Sequence, residues 1–378
     1  MENQSALFQL DSSVTYLNGA YMSPLLTSLA KIGERQVRAK LTPYKIGADN
    51  FFENVKAVKQ EFSRLINSVE PDRIAIIPSV SYGLANVAKN VDVSDKEILV
   101  VSEQFPSNIY PWKELEKSQN AKLITISPPD SLENRGEIWN ERILAAINSN
   151  TGMVAIAHTH WADGTLFNLK KIRKKTKEIG ALLIIDGTQS VGAYPFDVQE
   201  IEPDALICAG YKWLMGPYGI GVAYYGPAFD NGTPIEQNWI NRKDSENFAA
   251  LINYEDNYQA GAMRYSVGEQ SNFILLPMML EAIRQLNAWG VNSIQQYCKS
   301  ITEQPLALLK TKGYWVEELD FRGSHLFGIR KEGMNVELIK EELEKHHIFV
   351  SIRGTSIRVS PNVYNTEADM MKLVNILN

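Results

Sequence analysis

Two cysteines in 378 residues are too few for a disulfide framework or a cysteine-based metal centre. Cys208 falls at a strand end and Cys298 within a helical pattern, and both read as core thiols. Histidine is scarce too, at five. His158 and His160 stand close together, but no carboxylate or cysteine set accompanies them, so packed or hydrogen-bonded rings are expected and no metal is assigned. Basic residues are not in excess: the net charge is −6, which argues against a nucleic-acid partner. No apolar run of about 18 residues occurs, so no membrane span is expected. The polar start MENQSALFQLD does not read as a signal peptide, and the expectation is a cytoplasmic chain. Repeats and low-complexity tracts are missing as well.

What the chain does have is apolar residues, 44% against 22% charged. Over this length that suffices for a large core and about two or three domains. Residues 181–226 organise the rest. An apolar strand over 182–185 ends at Asp186, and after a turn a second strand over 205–208 is followed by Lys212. In an open α/β sheet, ligands bind at the carboxyl ends of strands, where loops vary over a rigid frame. An acid and a lysine at adjacent strand ends suit pyridoxal phosphate, which is held by a lysine Schiff base and made a better electron sink by an acid at its ring nitrogen. Gly216, Gly219 and Gly221 permit a tight turn and close backbone approach beyond the lysine. The bare pair says little, because most such residues are solvated or capping.

The surrounding residues say more. DGTQSVGA at 186–193 and AGYKWLMGPYGIG at 209–221 resemble the cofactor-lysine region of the class V aminotransferase family, pyridoxal-phosphate enzymes that include cysteine desulfurases, isopenicillin N epimerase-like proteins and kynureninases. The resemblance runs from about Thr15 to Thr366 and implies the fold type I scaffold. That scaffold is α/β, with a mostly parallel seven-stranded sheet in a large domain and a smaller α+β C-terminal domain. The implied division is an N-terminal segment near the active site (1–24), a large cofactor-binding domain (25–270, with 226–270 as an aperiodic interface segment), and a linking helix with the small domain (271–378).

Site residues follow from the resemblance, each beside its plainer reading. Asn18 and Ala20 lie where the family places a segment near the substrate. A strand over 73–78 runs into Ser79-Val80-Ser81, opening a helix with Leu84, Val87 and Ala88 inward, and free amides at a helix N-terminus bind phosphate. The family's phosphate turn falls here, implying contacts from Val80 and Ser81; Ser81 reads equally as a plain N-cap. After a strand over 97–101, Phe105 resembles the ring-stacking residue of kynureninases and some epimerase-like members, or else anchors its loop. After a strand over 153–157, His158 matches a family histidine, and Trp161 stands where an Asn or Tyr near the cofactor would be. Gln189 is implied to donate to the cofactor's phenolic oxygen, and Tyr211 to reach its phosphate as a neutral phenol. RYSVGEQ at 264–270 resembles a segment that contributes to the neighbouring subunit's site; Glu269 would repel a phosphate dianion, which leaves Gln270. Arg358, in IRVSPNVYNT, is implied to hold the substrate α-carboxylate in its planar fork, where a strand arginine is otherwise a solvated edge charge.

Elsewhere, periodicity predicts helices across most of 25–65, over 168–179 with Leu169, Ile172 and Ile179 inward, over 271–289, and over 335–347 with Val336, Ile339 and Leu343 inward. Further strands are expected at 122–126, 314–329, 348–352 and 356–360. The function implied is an enzyme on an α-amino acid, with Lys212 and Asp186 catalytic and a homodimer as the working form. Its preferred reading is an aminotransferase-type reaction. A kynureninase-like lyase and an isopenicillin N epimerase-like enzyme are the alternatives, and a catalytically silent cofactor-binding protein is a more distant one. The desulfurase branch is disfavoured because 350–356, where the family carries its nucleophilic cysteine, has none.

Overall fold

Short apolar runs such as IAII, EILVV and LLIID, with no polar alternation, form strands covered on both faces. The computed structural model describes residues 1–377; Asn378, the last residue of the expected small domain, lies outside the described residues. In chain order the strands are β1 (Thr15–Tyr16), β2 (Ile74–Ile77), β3 (Glu97–Val101), β4 (Lys122–Ile126), β5 (Thr151–Ala157), β6 (Leu182–Asp186), β7 (Ala205–Ala209), β8 (Gly221–Tyr225), β9 (Phe327–Ile329), β10 (Ile348–Phe349), β11 (Ser351–Arg353) and β12 (Ser356–Val359).

Seven strands form one sheet in the order β2-β8-β7-β6-β5-β3-β4. The pairs from β7 to β4 are parallel, and β8 runs antiparallel to both β2 and β7. Strand parity divides the interior in two. Leu99, Val101, Val154, Ile156, Leu183, Ile185 and Leu206 enter one core, while Ile98, Val100, Met153, Ala155, Ile184 and Ile207 enter the other. Each fully buried aliphatic contributes roughly 1.5–3 kcal/mol relative to exposure, so a one-residue slip of a central strand would exchange its two inner faces.

A three-stranded antiparallel sheet, β11-β12-β9, carries a third core. The N-terminal stretch joins the two sheets' ends. β1 pairs in parallel with β10, Asn18 bridges to Ser360, and the Ser23 amide donates to the Tyr211 carbonyl beside Lys212.

Several expectations change. The 25–65 region is two helices, Thr27–Ala39 and Glu53–Leu65, interrupted around Pro43 and Gly47. The helix expected at 271–289 spans Leu275–Trp289 and turns at Gly290, with φ 76°, into a second helix, Val291–Thr311. Of 314–329 only β9 is strand, because the polar stretch before it leaves the sheet through a turn at Leu319–Phe321. The 348–352 strand is split, with β10 serving β1 and β11 serving β12. Ile179, at the end of the helix Leu169–Ile179, faces solvent, and Val336 and Ile339 are only half-buried while Leu343 is fully buried. β8 is a further strand, beyond those expected; Gly221 admits the close approach, since a Cβ there would sit 2.5 Å from the Cys208 carbonyl oxygen.

Candidate active site

The carboxyl ends of β2, β3, β5, β6 and β7 open onto one cavity of about 220 Å3. Asp186 closes β6 and Lys212 follows β7 by three residues; the two strands are direct parallel neighbours, with Asp186 in register with Ile207. Both side chains line the cavity and both are 7% exposed. Burial pushes the Lys212 amine down from 10.5 to about 8; Asp186 opposes that shift, and the positive charges of Arg358 and Arg353 add to it. Burial likewise raises the Asp186 carboxyl, against hydrogen bonds from Thr188 and the attraction of Lys212. The Thr188 amide donates to Asp186 Oδ1 at 2.9 Å, while the Thr188 hydroxyl accepts from the Ala209 amide at 3.1 Å, locking the turn between the two strands. Thr188 was not among the expected site residues, although its place two residues after a strand-end acid is a turn signal.

At the opposite wall the helix Val80–Asn90 begins. Its cap is Ser79, whose hydroxyl accepts from the Tyr82 amide at 3.2 Å, so Ser81 is not the cap. Val80 and Ser81 both line the cavity, and the Ser81 hydroxyl donates to Ser107 Oγ at 3.2 Å. First-turn amides and two hydroxyls form a cradle for an anion that needs no cationic side chain. Phe105 lies between, its ring 5.4 Å from Lys212 Nζ and edge-on to Trp161 at 5.4 Å. The Trp161 indole donates to the Glu103 carbonyl at 2.6 Å, and the residue lines the cavity. Tyr211 stands 5.6 Å from the amine and packs on Tyr218 at 4.6 Å. Burial raises its phenol, which keeps it a neutral donor.

Gln189 also lines the cavity. Its amide donates to the Ala20 carbonyl at 3.1 Å and accepts from Trp213 Nε1 at 2.9 Å, which leaves one N–H to offer. Ala20 thus acts through its carbonyl. Asn18 takes the Ser351 hydroxyl at 2.7 Å, and Ser351 Oγ accepts from Arg358 at 3.2 Å, so Asn18 sits behind the arginine rather than at the cavity. Arg358 is 1% exposed, which rules out a solvated edge charge, and it donates to the Trp161 carbonyl at 2.9 Å. Burial, with help from Arg353, lowers it to about 9.

Five expected contacts are not among the residues that line the cavity: Asn18, Ala20 and Arg358, and with them His158 and Gln270. His158 does not line the cavity; it is buried edge-on against Tyr194 and Phe196 at 5.3 and 5.6 Å, and burial lowers it to about 3. Gln270 is buried away from it as well, donating to Asn241 Oδ1 at 3.3 Å, while Glu269 is exposed. His160 instead bonds Asp163 through Nδ1 at 2.9 Å. Among the described residues no group of three or more potential metal ligands occurs.

The family model described as aminotransferase class-V matches residues 45–373. The Bacillus subtilis protein YcbU, described as an uncharacterized aminotransferase, is 26% identical over 337 residues, covering 85% of this chain and 83% of that protein. A probable cysteine desulfurase of Staphylococcus epidermidis is 32% identical over 227 residues, 59% of this chain and half, 50%, of that protein. Among solved structures, the apo cysteine desulfurase of Thermococcus onnurineus superimposes with a TM-score of 0.84 at 18% identity, covering 100% of this chain and 98% of that one. At that identity the likeness speaks for the fold, the type I α/β scaffold expected from the sequence.

Proposed function

The chain belongs to the class V aminotransferase family and is a pyridoxal-phosphate-dependent enzyme; from that premise we propose that its reaction is of the aminotransferase type, on an α-amino acid. The residues present fit the cofactor. The Val80 and Ser81 cradle with Ser107 would take the phosphate, Asp186 would serve the ring nitrogen, Phe105 would cover the ring, and Lys212 would offer its amine to the aldehyde; all five residues line the one cavity with Ser107. Gln104 Oε1 and Thr159 Oγ1, on two further lining residues, are buried polar atoms with no protein partner. When bound, the cofactor supplies an electron sink for negative charge at the substrate α-carbon.

The pairing of a depressed lysine with a buried carboxylate in one cavity carries the cofactor assignment, and the aminotransferase reading rests on the likeness to a protein described as an aminotransferase together with the two buried thiols. A Lys212 amine at about 8 is neutral in a useful fraction near neutrality, and can then take a proton from a substrate and return it. Asp186, when charged, favours a protonated partner facing it. Arg358 holds the α-carboxylate and so sets which α-bond faces Lys212. Both thiols are 0% exposed, Cys208 on β7 and Cys298 on the helix Val291–Thr311, and burial lifts them far from the thiolate form, Cys298 to about 12. A thiolate is the competent nucleophile, so thiol-based desulfuration is disfavoured. Phe105 and Tyr211 at the cavity favour, as a second reading, a kynureninase-like lyase or an epimerase.

The working form is a homodimer in this reading. The 226–270 segment exposes Tyr254 at 97% and Ile252 at 82% beside Trp239, Phe248 and Leu251, a patch suited to a second copy. A cytoplasmic location belongs to the same reading; among the described residues no helix is long and apolar enough to cross a membrane. The test is product identification from an amino-acid panel, with and without 2-oxo acids. Turnover that requires the 2-oxo acid supports transamination, whereas sustained turnover without it selects the lyase or epimerase.

A further inference from the structure

Two arginines of the small sheet converge on one cavity residue. Arg353 lies over the Trp161 ring at 5.2 Å, and Arg358 donates to the Trp161 carbonyl at 2.9 Å. The Trp161 ring meets Phe105 at 5.4 Å, and Phe105 lies 5.4 Å from Lys212 Nζ. A short relay of contacts therefore leads from the amine to both guanidinium groups, and both charges are felt at Lys212.

Neither arginine has an acid. Arg353 donates only to its neighbour's carbonyl, Ile352, at 2.7 Å, and the ionisable group that favours its charge is the Tyr21 phenol. Arg358 has the Trp161 carbonyl and Ser351 Oγ, and is opposed by Arg353. The Nε of each is shut away from water with no acceptor. Arg264 and Arg322 likewise bond only backbone carbonyls, but three other enclosed arginines have carboxylates. Arg135 and Arg330 each sit 3.0 Å from Asp163, and Arg173 holds Asp204 through two bonds, at 2.7 and 3.3 Å. Two like charges brought together without an anion cost stability unless a ligand supplies one. An α-carboxylate satisfies one fork, and a second fork calls for a second anion.

We propose that the substrate is an acidic α-amino acid, its α-carboxylate on Arg358 and its side-chain carboxylate on Arg353. The inference rests on the amino-acid reading of the site and names its substrate class.

The test uses the holoprotein, Arg353→Met, which keeps an apolar stem against Trp161, and Arg353→Lys. Aspartate and glutamate are compared with alanine and norvaline in turnover. Succinate and glutarate are compared with butyrate in calorimetric binding, and borohydride trapping of Lys212 monitors the cofactor. In Arg353→Met, kcat/KM for the acidic amino acids should fall about 10- to 100-fold, as befits one charge-assisted contact. The neutral ones should change little, dicarboxylate binding should weaken in parallel, and Lys should restore part of it. Equal losses on acidic and neutral substrates would assign both arginines to one carboxylate and overturn the proposal. So would a wild-type preference for neutral amino acids, or dicarboxylates that bind no better than butyrate. If trapping finds no cofactor on Lys212, the underlying reading falls and this inference with it; trapped cofactor without acidic preference overturns the inference alone.

Discussion

Lys212 can be interrogated before any substrate is known. Its amine titrates at about 8 in place of 10.5, chiefly because the side chain is buried. At pH 7 that difference multiplies the neutral, nucleophilic fraction by about 300. Mixing cofactor-free protein with pyridoxal phosphate and following absorbance should give a capture rate that climbs close to tenfold per pH unit below about 8 and then levels. Neighbouring charges fix the sign of each variant. Asp186→Asn removes a carboxylate that favours the ammonium and should move the midpoint down. Arg358→Met with Arg353→Met removes two repelling cations and should move it up. Stability supplies an independent check. Since the folded chain disfavours the charged amine, the penalty is complete below pH 8 and fades toward pH 10.5, where the unfolded chain loses its proton too. Lys212→Met should therefore unfold at higher denaturant than the parent at pH 7, by up to about 3 kcal/mol, with the gap narrowing as pH rises. A capture midpoint near 10.5, or one indifferent to the arginine and aspartate changes, would refute the reasoning.

Three other outcomes are expected. Phe105→Ala should weaken cofactor retention by about 1–3 kcal/mol in equilibrium dialysis, through lost stacking and burial; unchanged affinity in a folded variant would make the ring a loop anchor. Arg358→Lys should lower kcat/KM for amino acids by about 2–4 kcal/mol and affect the decarboxylated amines far less, with equal losses pointing to a role in the fold instead. Asp163→Asn should cost about 3–5 kcal/mol in denaturant unfolding, because it strands the buried Arg135 and Arg330. Burial opposes that carboxylate's charge, but His160, Arg135 and Arg330 outweigh it and hold the group below the usual range. Its stabilisation is thus present above about pH 4 and lost as pH falls further; an acid limb unchanged in the variant would argue against it.

The central strands were readable because their cause is local. An unbroken aliphatic run such as LLIID has no polar face to leave in water, so its burial on both sides follows from composition. Asp186 and Lys212 were readable for a related reason: each stands at the end of such a run, and the glycines and turn residues around them restrict the backbone wherever the segment sits. Phe105, Tyr211, Gln189, Val80 and Ser81 reached the same cavity as short extensions of strand ends.

Tertiary structure decided which groups face which. His158 and His160 stand two residues apart, yet His158 is enclosed by Tyr194 and Phe196, more than thirty residues on, while His160 bonds Asp163 within its own loop. Asn18 moved from the substrate to a place behind Ser351 for the same reason: β1 pairs with β10, a contact across more than three hundred residues that no local pattern encodes. β8 escaped notice because its strand identity comes from two antiparallel neighbours and close glycine packing. Arg353 carried no signal at all, since an arginine in a short polar strand is ordinary until the fold sets it against Trp161 and Arg358 with no carboxylate among its described partners. Backbone conformation and hydrophobic period act over a few residues, and so the chain alone determined its central parallel strands and its lysine–acid pair. Charge pairing and burial act through space, and only the folded sheets determined which cations were left for a ligand to neutralise.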